Sequence, residues 1–232
     1  PTLKTLQLLR QLWKLGILLK VSGKKDSNFI FSQCRKILSP YGLELDDRYY
    51  QSIRHYIMWL RITSFWFSTL RGYPCTVKEG KAGIFLGAMT PLFDALFDDT
   101  DLDSEDIRDA ILSHSTDNVL IILLSAFREQ LFENVKNRES LDKYLDKIIS
   151  TQLGSLRQKE PEISYEEIRR ITFDKGGYAL LGCRSILDHT MDENEEILVY
   201  DLGAIVQLTN DIFDVYEDSQ NSVKTMVDGI PD

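Results

Sequence analysis

Carboxylates recur four residues apart at two places in this chain. Asp94-Ala95-Leu96-Phe97-Asp98-Asp99 is the first, and Asn210-Asp211-Ile212-Phe213-Asp214-Val215-Tyr216-Glu217-Asp218 is the second. A four-residue step is slightly more than one helical turn, so Asp94 and Asp98 share a face, and Asn210, Asp214 and Asp218 form a second stripe. Like charges at this spacing destabilise a helix by roughly 0.2–0.5 kcal/mol per pair. Both clusters also fall near the predicted C-terminal ends of their helices, where the macrodipole favours cations. A bound cation would reverse that balance. Oxygen ligands suit a hard ion such as Mg²⁺, which is often held by few carboxylates together with substrate phosphates. Several such ions could neutralise a diphosphate and help it leave.

A solvated charged face is the ordinary reading of an acidic stripe, and three features weigh against it here. Thr90, Gly87, Leu86 and Gly83 precede Asp94 on its face, and Val206 and Leu202 precede Asn210, with Gly203 beside them. Small and apolar residues of this kind suggest a packed or concave wall. Carboxylates deep in a bundle need charge compensation. Two stripes on helices far apart in sequence would, facing each other, make a rim of oxygen ligands. Calcium is the competing metal. Asp99-Thr100-Asp101-Leu102-Asp103 opens like an EF-hand loop, but Ser104 stands where that loop needs Gly and Ala110 where it needs Glu.

The elements that would carry these residues are helical nearly throughout. Apolar periodicity predicts helices over 3–21, 28–38, 46–72, 82–98, 103–113, 117–135, 139–158, 163–188 and 193–219. Ser22-Gly23, Ser39-Pro40-Tyr41-Gly42, Gly72-Tyr73-Pro74 and Lys159-Glu160-Pro161 read as breaks. Asp103 and Ser104 are cap candidates, and Ser164 with Glu167 reads as a capping box. No convincing alternating strand is visible. The expectation is one all-α domain over residues 1–232, a bundle around a single core.

Composition narrows the partners. The chain has 232 residues, 43% hydrophobic and 27% charged, with 27 Lys+Arg against 36 Asp+Glu and a formal net charge of -9. General nucleic-acid or anionic-membrane binding needs a basic surface and is disfavoured. Cys34, Cys75 and Cys183 show no ligand spacing, so a reducing, cytoplasmic setting is expected. No run of about 18 apolar residues is present, so no transmembrane segment is expected. The chain begins without Met and ends soon after the second cluster, as a fragment or trimmed chain would.

Gln207-Leu208-Thr209-Asn210, followed by Asp214 and then Glu217-Asp218, resembles the second aspartate-rich motif of the squalene/phytoene synthases. Asp94-Ala95-Leu96-Phe97-Asp98 looks like their first D-x-x-x-D motif. The order and separation are similar to class I isoprenoid synthases generally. Asn210, Asp214 and Asp218 sit where terpene synthases carry an N-D-x-x-S-x-x-x-E triad, with Asp at two positions. The resemblance covers about a tenth of the chain.

The resemblance implies a class I isoprenoid synthase-like helical bundle around a central cavity, here lacking C-terminal helices that usually close it. It implies a cluster of Mg²⁺ ions bridging a prenyl diphosphate to Asp94, Asp98, Asn210, Asp214 and Asp218. Asp99 and Asp211 are weaker ligand candidates, about 100° from the main stripes. Asp94, Asp98 and Asp214 would be the catalytic carboxylates, with Asp94 and Asp214 indispensable to turnover. A homodimer is compatible with such a fold. The Gln207–Asp218 run slightly favours head-to-head condensation, with cyclisation close behind, and elongation ranks third because the first motif is not the D-D-x-x-D of chain-elongating enzymes. The alternative reading is a catalytically inactive scaffold or regulatory subunit that retains the acids.

A diphosphate also needs basic donors. Arg169, Arg170 and Lys175 lie on the helix before the second motif, and Lys224 follows it, as basic residues do in the phytoene synthase pattern. Arg170, Lys175 and Lys224 are the diphosphate candidates. Gly176-Gly177 inside a predicted helix costs on the order of 1 kcal/mol per glycine relative to Ala. Two explanations have equal weight: backbone exposed to a ligand, or close helix packing. Phe93, Phe97, Tyr178 and Phe213 would line the cavity and could stabilise a carbocation, although an aromatic stripe is more often plain core. Arg54, Arg61 and Arg71 are read singly as solvated or salt-bridged. His55, His114 and His189 share no spacing and receive no chemistry.

Overall fold

The structure, a computed structural model, describes residues 16, 23–99, 109 and 118–228; the side chains of Asp98, Asp99 and Glu217 lie outside what is described. The described residues are mostly helical and contain no strand. They fall into two compact units, Pro1–Lys136 and Asn137–Asp232. Apart from Gly16 and Asp109, which are helical, the predicted helices 3–21 and 103–113, with the caps Asp103 and Ser104, lie outside the described residues.

In the N-terminal unit, residues 23–38 form α1. This helix includes Gly23, which the sequence reads as a break. The hydroxyl of Ser27 donates to the Gly23 carbonyl at 2.7 Å, and Ile30, Cys34 and Leu38 give the helix a fully buried stripe. Gly42, with a φ of 67°, closes the short turn Ser39–Tyr41 that follows. α2 runs Asp47–Leu70, begun by Asp46, whose carboxylate accepts the Arg48 N–H. Ile53, Ile57, Leu60 and Phe67 bury one face. Gly72, at a φ of 86°, and Pro74 end it.

α3, Val77–Asp99, starts five residues before its predicted position. Thr76 and Glu79 form a reciprocal capping box: the Glu79 carboxylate accepts the Thr76 N–H at 2.6 Å, and the Thr76 hydroxyl accepts the Glu79 N–H at 3.2 Å. Glu79 is fully buried and is held by the Arg71 guanidinium through both carboxylate oxygens. One side chain therefore caps α3 and ties it to the end of α2. Arg71 is salt-bridged, as is Arg61 to Asp26, while Arg54 lies over the Phe31 ring. α4, Val119–Asn134, is capped by Asn118 and buries Leu120–Ser125, Phe127 and Leu131, as a helix apolar on every side must. It packs on α3, with the rings of Phe85 and Phe127 5.8 Å apart.

The C-terminal unit contains α5 (Arg138–Ser155), α6 (Tyr165–Ser185) and α7 (Glu193–Gln220). Ser164 caps α6 through the Glu167 N–H, but the Glu167 carboxylate takes Arg157 instead of completing the box. Asp192 accepts the Glu195 N–H, and Glu193, Glu195 and Glu196 crowd the first turn of α7, where the dipole favours them. Glu195 pairs with the buried Arg184 of α6 at 2.6 Å, and Glu196 with Lys143 of α5 at 2.8 Å.

Glycines set the spacing of α6 and α7. A Cβ on Gly176 would stand 2.2 Å from the Gly203 carbonyl oxygen, and one on Gly203 would stand 2.3 Å from the Gly176 carbonyl oxygen. A Cβ on Gly177 would enter the Tyr200 ring at 2.3 Å. Of the two explanations for the Gly176-Gly177 pair, close helix packing is the one observed. Gly203→Ala should therefore destabilise the protein by about 3 kcal/mol or more, because backbone must move to admit one methyl. Urea unfolding followed by circular dichroism checks this; a change under about 1 kcal/mol would mean the backbones are not in contact.

Candidate metal and diphosphate site

Asp94 occupies the last two turns of α3 and is half-buried. The face behind it is closed, as the sequence suggests: Gly83, Leu86 and Gly87 are buried and Thr90 is half-buried. A Cβ on Gly87 would meet the Ile57 Cα and the Tyr56 carbonyl oxygen of α2 at 3.0 Å. Pro91, inside the same helix, has no N–H to give the Gly87 carbonyl one turn back. Two turns after Gly87, Asp94 comes under α2, and the Tyr56 hydroxyl donates to its Oδ2 at 3.2 Å. This hydrogen bond orients the carboxylate. Asp98 and Asp99 continue α3 in backbone only. Phe97 is buried and Phe93 half-buried beside them.

The second stripe lies on the closing turns of α7. Asn210 is exposed, and its Nδ2 donates to Asp214 Oδ2 at 2.7 Å; Asp214 and Asp218 are half-buried. The face of α7 turned to α6 differs from the sequence expectation. It carries Gly203, Gln207 and Asp211, whereas Leu202 is 43% exposed. Asp211 is the buried acid of the motif, accepting the Thr172 hydroxyl at 3.1 Å and Gln207 Nε2 at 2.9 Å. Asn210, Asp214 and Asp218 thus flank the α6 contact, and Asp211 serves it. The pairing with Thr172 leaves no periodic signal in the sequence, since both partners are polar residues on helices that otherwise read as amphipathic.

The basic candidates divide by environment. Arg170 is exposed and lies 3.6 Å from Glu167. Lys175 is half-buried beside the glycine contact. Lys224 belongs to a strap that follows α7. Its N–H donates to the Gln158 carbonyl at 2.9 Å, its carbonyl accepts Gln158 Nε2 at 2.7 Å, and its ammonium donates to the Pro161 carbonyl. Met226 of the same strap packs on Ile163, Ile168 and Ile171. Tyr178 is half-buried with its ring 5.4 Å from that of Tyr200, and Phe213 is 81% exposed.

Taken separately, each stripe offers oxygen donors, which suit Mg²⁺ better than a softer metal: a carboxylate on α3, and an amide with two carboxylates on α7. Among the described residues, no three His, Cys, Asp or Glu side chains group closely enough to hold a metal by themselves. No described helix is long and apolar enough to cross a membrane. No known protein family, curated protein or solved structure matches this chain.

Tyr200 gives the C-terminal unit a pH dependence. Burial, followed by its 2.6 Å hydrogen bond to Asp174, raises its pKa above the usual phenol value. The folded state therefore keeps a proton that the unfolded chain loses near pH 10. This contribution is complete below about pH 10 and is lost as pH rises further. Urea midpoints should fall between pH 8 and pH 11, and fall less in Tyr200→Phe. An equal decline in both proteins would remove Tyr200 from the account.

Proposed function

We propose that the chain is an Mg²⁺-dependent class I isoprenoid synthase that ionises an allylic prenyl diphosphate. The single observation carrying this reading is the form of the two acidic stripes. Each closes a long helix at its dipole-disfavoured end, and each follows by two turns a glycine packed on a neighbouring helix backbone: Gly87 before Asp94 and Gly203 before Asn210. Carboxylates positioned by such rigid contacts, against local electrostatics, are what a metal site requires.

In this reading Asp94 and Asp98 supply oxygens from α3, and Asn210, Asp214 and Asp218 supply them from α7. Bound Mg²⁺ would neutralise the diphosphate and so favour its departure. Tyr56 holds Asp94, and the Asn210 amide holds Asp214, each in a defined rotamer. Arg170 and Lys175 would contact the diphosphate oxygens. Phe93 and Phe97 would shield the allylic cation from water, with Tyr178 and the exposed Phe213 as the remaining wall candidates, and the cation is then captured by a second prenyl chain or by its own double bonds. Condensation ranks ahead of cyclisation on the Gln207–Asp218 run.

The second reading is an inactive helical scaffold. The exposure of Ile212, Phe213 and Tyr216 on α7 favours it, since such residues also suit a protein partner. Mutation separates the two readings. Asp94→Asn and Asp214→Asn should each lower Mg²⁺-dependent diphosphate release at least about a hundredfold with unchanged far-ultraviolet circular dichroism. Full release in both variants would contradict the metal assignment.

A further inference from the structure

The N-terminal unit contains a cavity of about 900 Å³ that the acidic motif does not use. It lies at the far end of α3 from Asp94. Gly80, Lys81 and Ile84 line it, and Ile84 precedes Asp94 by ten residues, about 15 Å of helix. Its other walls come from α1, from the second half of α2 and from the connector before α3.

Its charge runs against that of the chain. Among the described residues that line it, Lys25, Arg61 and Lys81 stand with one carboxylate, Asp26, in a protein whose net charge is -9. Asp26 is 7% exposed and fixes Arg61, accepting from Nε at 2.8 Å and lying 2.7 Å from Nη2. The third guanidinium nitrogen, Nη1, lies over Gly80, 3.1 Å from where a Cβ would stand. Glycine in the first turns of a helix is unfavourable for the helix itself; here it leaves room for the arginine head at the cavity floor. Asp26 neutralises one cation, so two positive charges remain beside the apolar surfaces of Phe29, Phe65 and Ile84.

We propose that this cavity binds an anionic amphipath, a molecule with a single phosphate or carboxylate head and an apolar body. The head lies among Lys25, Arg61 and Lys81, where charge-assisted hydrogen bonds are available. The body lies against Phe29, Phe65 and Ile84. The volume falls in the range of small-molecule sites, roughly 300–1,000 Å³. A bare polyanion would leave the aromatic walls unused, and a neutral lipid would leave the cations unpaired. The site is separate from the acidic stripes and does not depend on their assignment.

The test is calorimetric titration of the full chain in EDTA, which silences any metal-dependent diphosphate site. The probes are dodecyl phosphate below its micellar concentration, dodecanol and inorganic phosphate. Dodecyl phosphate should bind at least about tenfold more tightly than either of the others. Lys25→Gln/Lys81→Gln, which changes only exposed side chains, should weaken it by a similar factor, and Gly80→Leu should weaken it by filling the floor. Lys36→Gln, exposed elsewhere on α1, should bind as the parent does. Equal binding of dodecanol, or unchanged binding in both cavity variants, would overturn the proposal. So would attachment to dioleoyl phosphatidylglycerol vesicles without any binding of monomeric dodecyl phosphate, which would assign the lysines to a membrane surface.

Discussion

Helix backbones in direct contact at glycine are the constraint on which the rest of this structure depends. At Gly176 and Gly203 neither α6 nor α7 has room for a Cβ. The contact fixes the separation of the two helices and also their rotation, because only one face of each carries the glycine. Once the rotation is fixed, Gln207 and Asp211 must face α6, and Asn210, Asp214 and Asp218 must lie beside that contact. In the N-terminal unit Gly87 acts the same way against Ile57 and Tyr56, and Asp94 is brought under the Tyr56 hydroxyl as a consequence. Packing at a residue without a side chain thus determines where charged side chains stand two turns later.

Electrostatics are arranged unevenly along the same helices. Glu193, Glu195 and Glu196 occupy the N-terminal turn of α7, where the dipole stabilises them, and two of them are paired with Arg184 and Lys143. At the other end, Asp214 and Asp218 have the dipole against them. The same contrast holds on α3. Glu79 at its start is buried, capping and bound to Arg71, while Asp94 near its end has a phenol for a donor. Carboxylates at the helix starts serve the fold. Those at the helix ends are opposed by the dipole, which is the argument for a ligand.

Much of the helical order was legible in the sequence, because Ser164 and the Pro- and Gly-bearing turns give local signals. The start of α3 was not. Val77-Lys78-Glu79-Gly80-Lys81 has no apolar period, which places the predicted start at residue 82, although the Thr76–Glu79 spacing is that of a capping box. Gly23, which reads as a break, misled at α1. The positions of the acidic stripes near helix ends were legible from periodicity alone. The orientation of α7 was not, since hydrophobicity turns Leu202 inward, whereas glycine contact turns Gly203 and Asp211 inward and leaves Leu202 partly exposed. Pairwise contacts such as Tyr56 with Asp94, or Thr172 with Asp211, carry no one-dimensional signature.

The most direct measurement is incubation of the purified protein with geranyl, farnesyl and geranylgeranyl diphosphates, with and without Mg²⁺, following diphosphate release and hydrocarbon products together. The account predicts release that requires Mg²⁺ and a defined hydrocarbon from at least one substrate. A folded protein that releases no diphosphate from any of the three, with Mg²⁺ present, would contradict it and leave the helical scaffold as the better description.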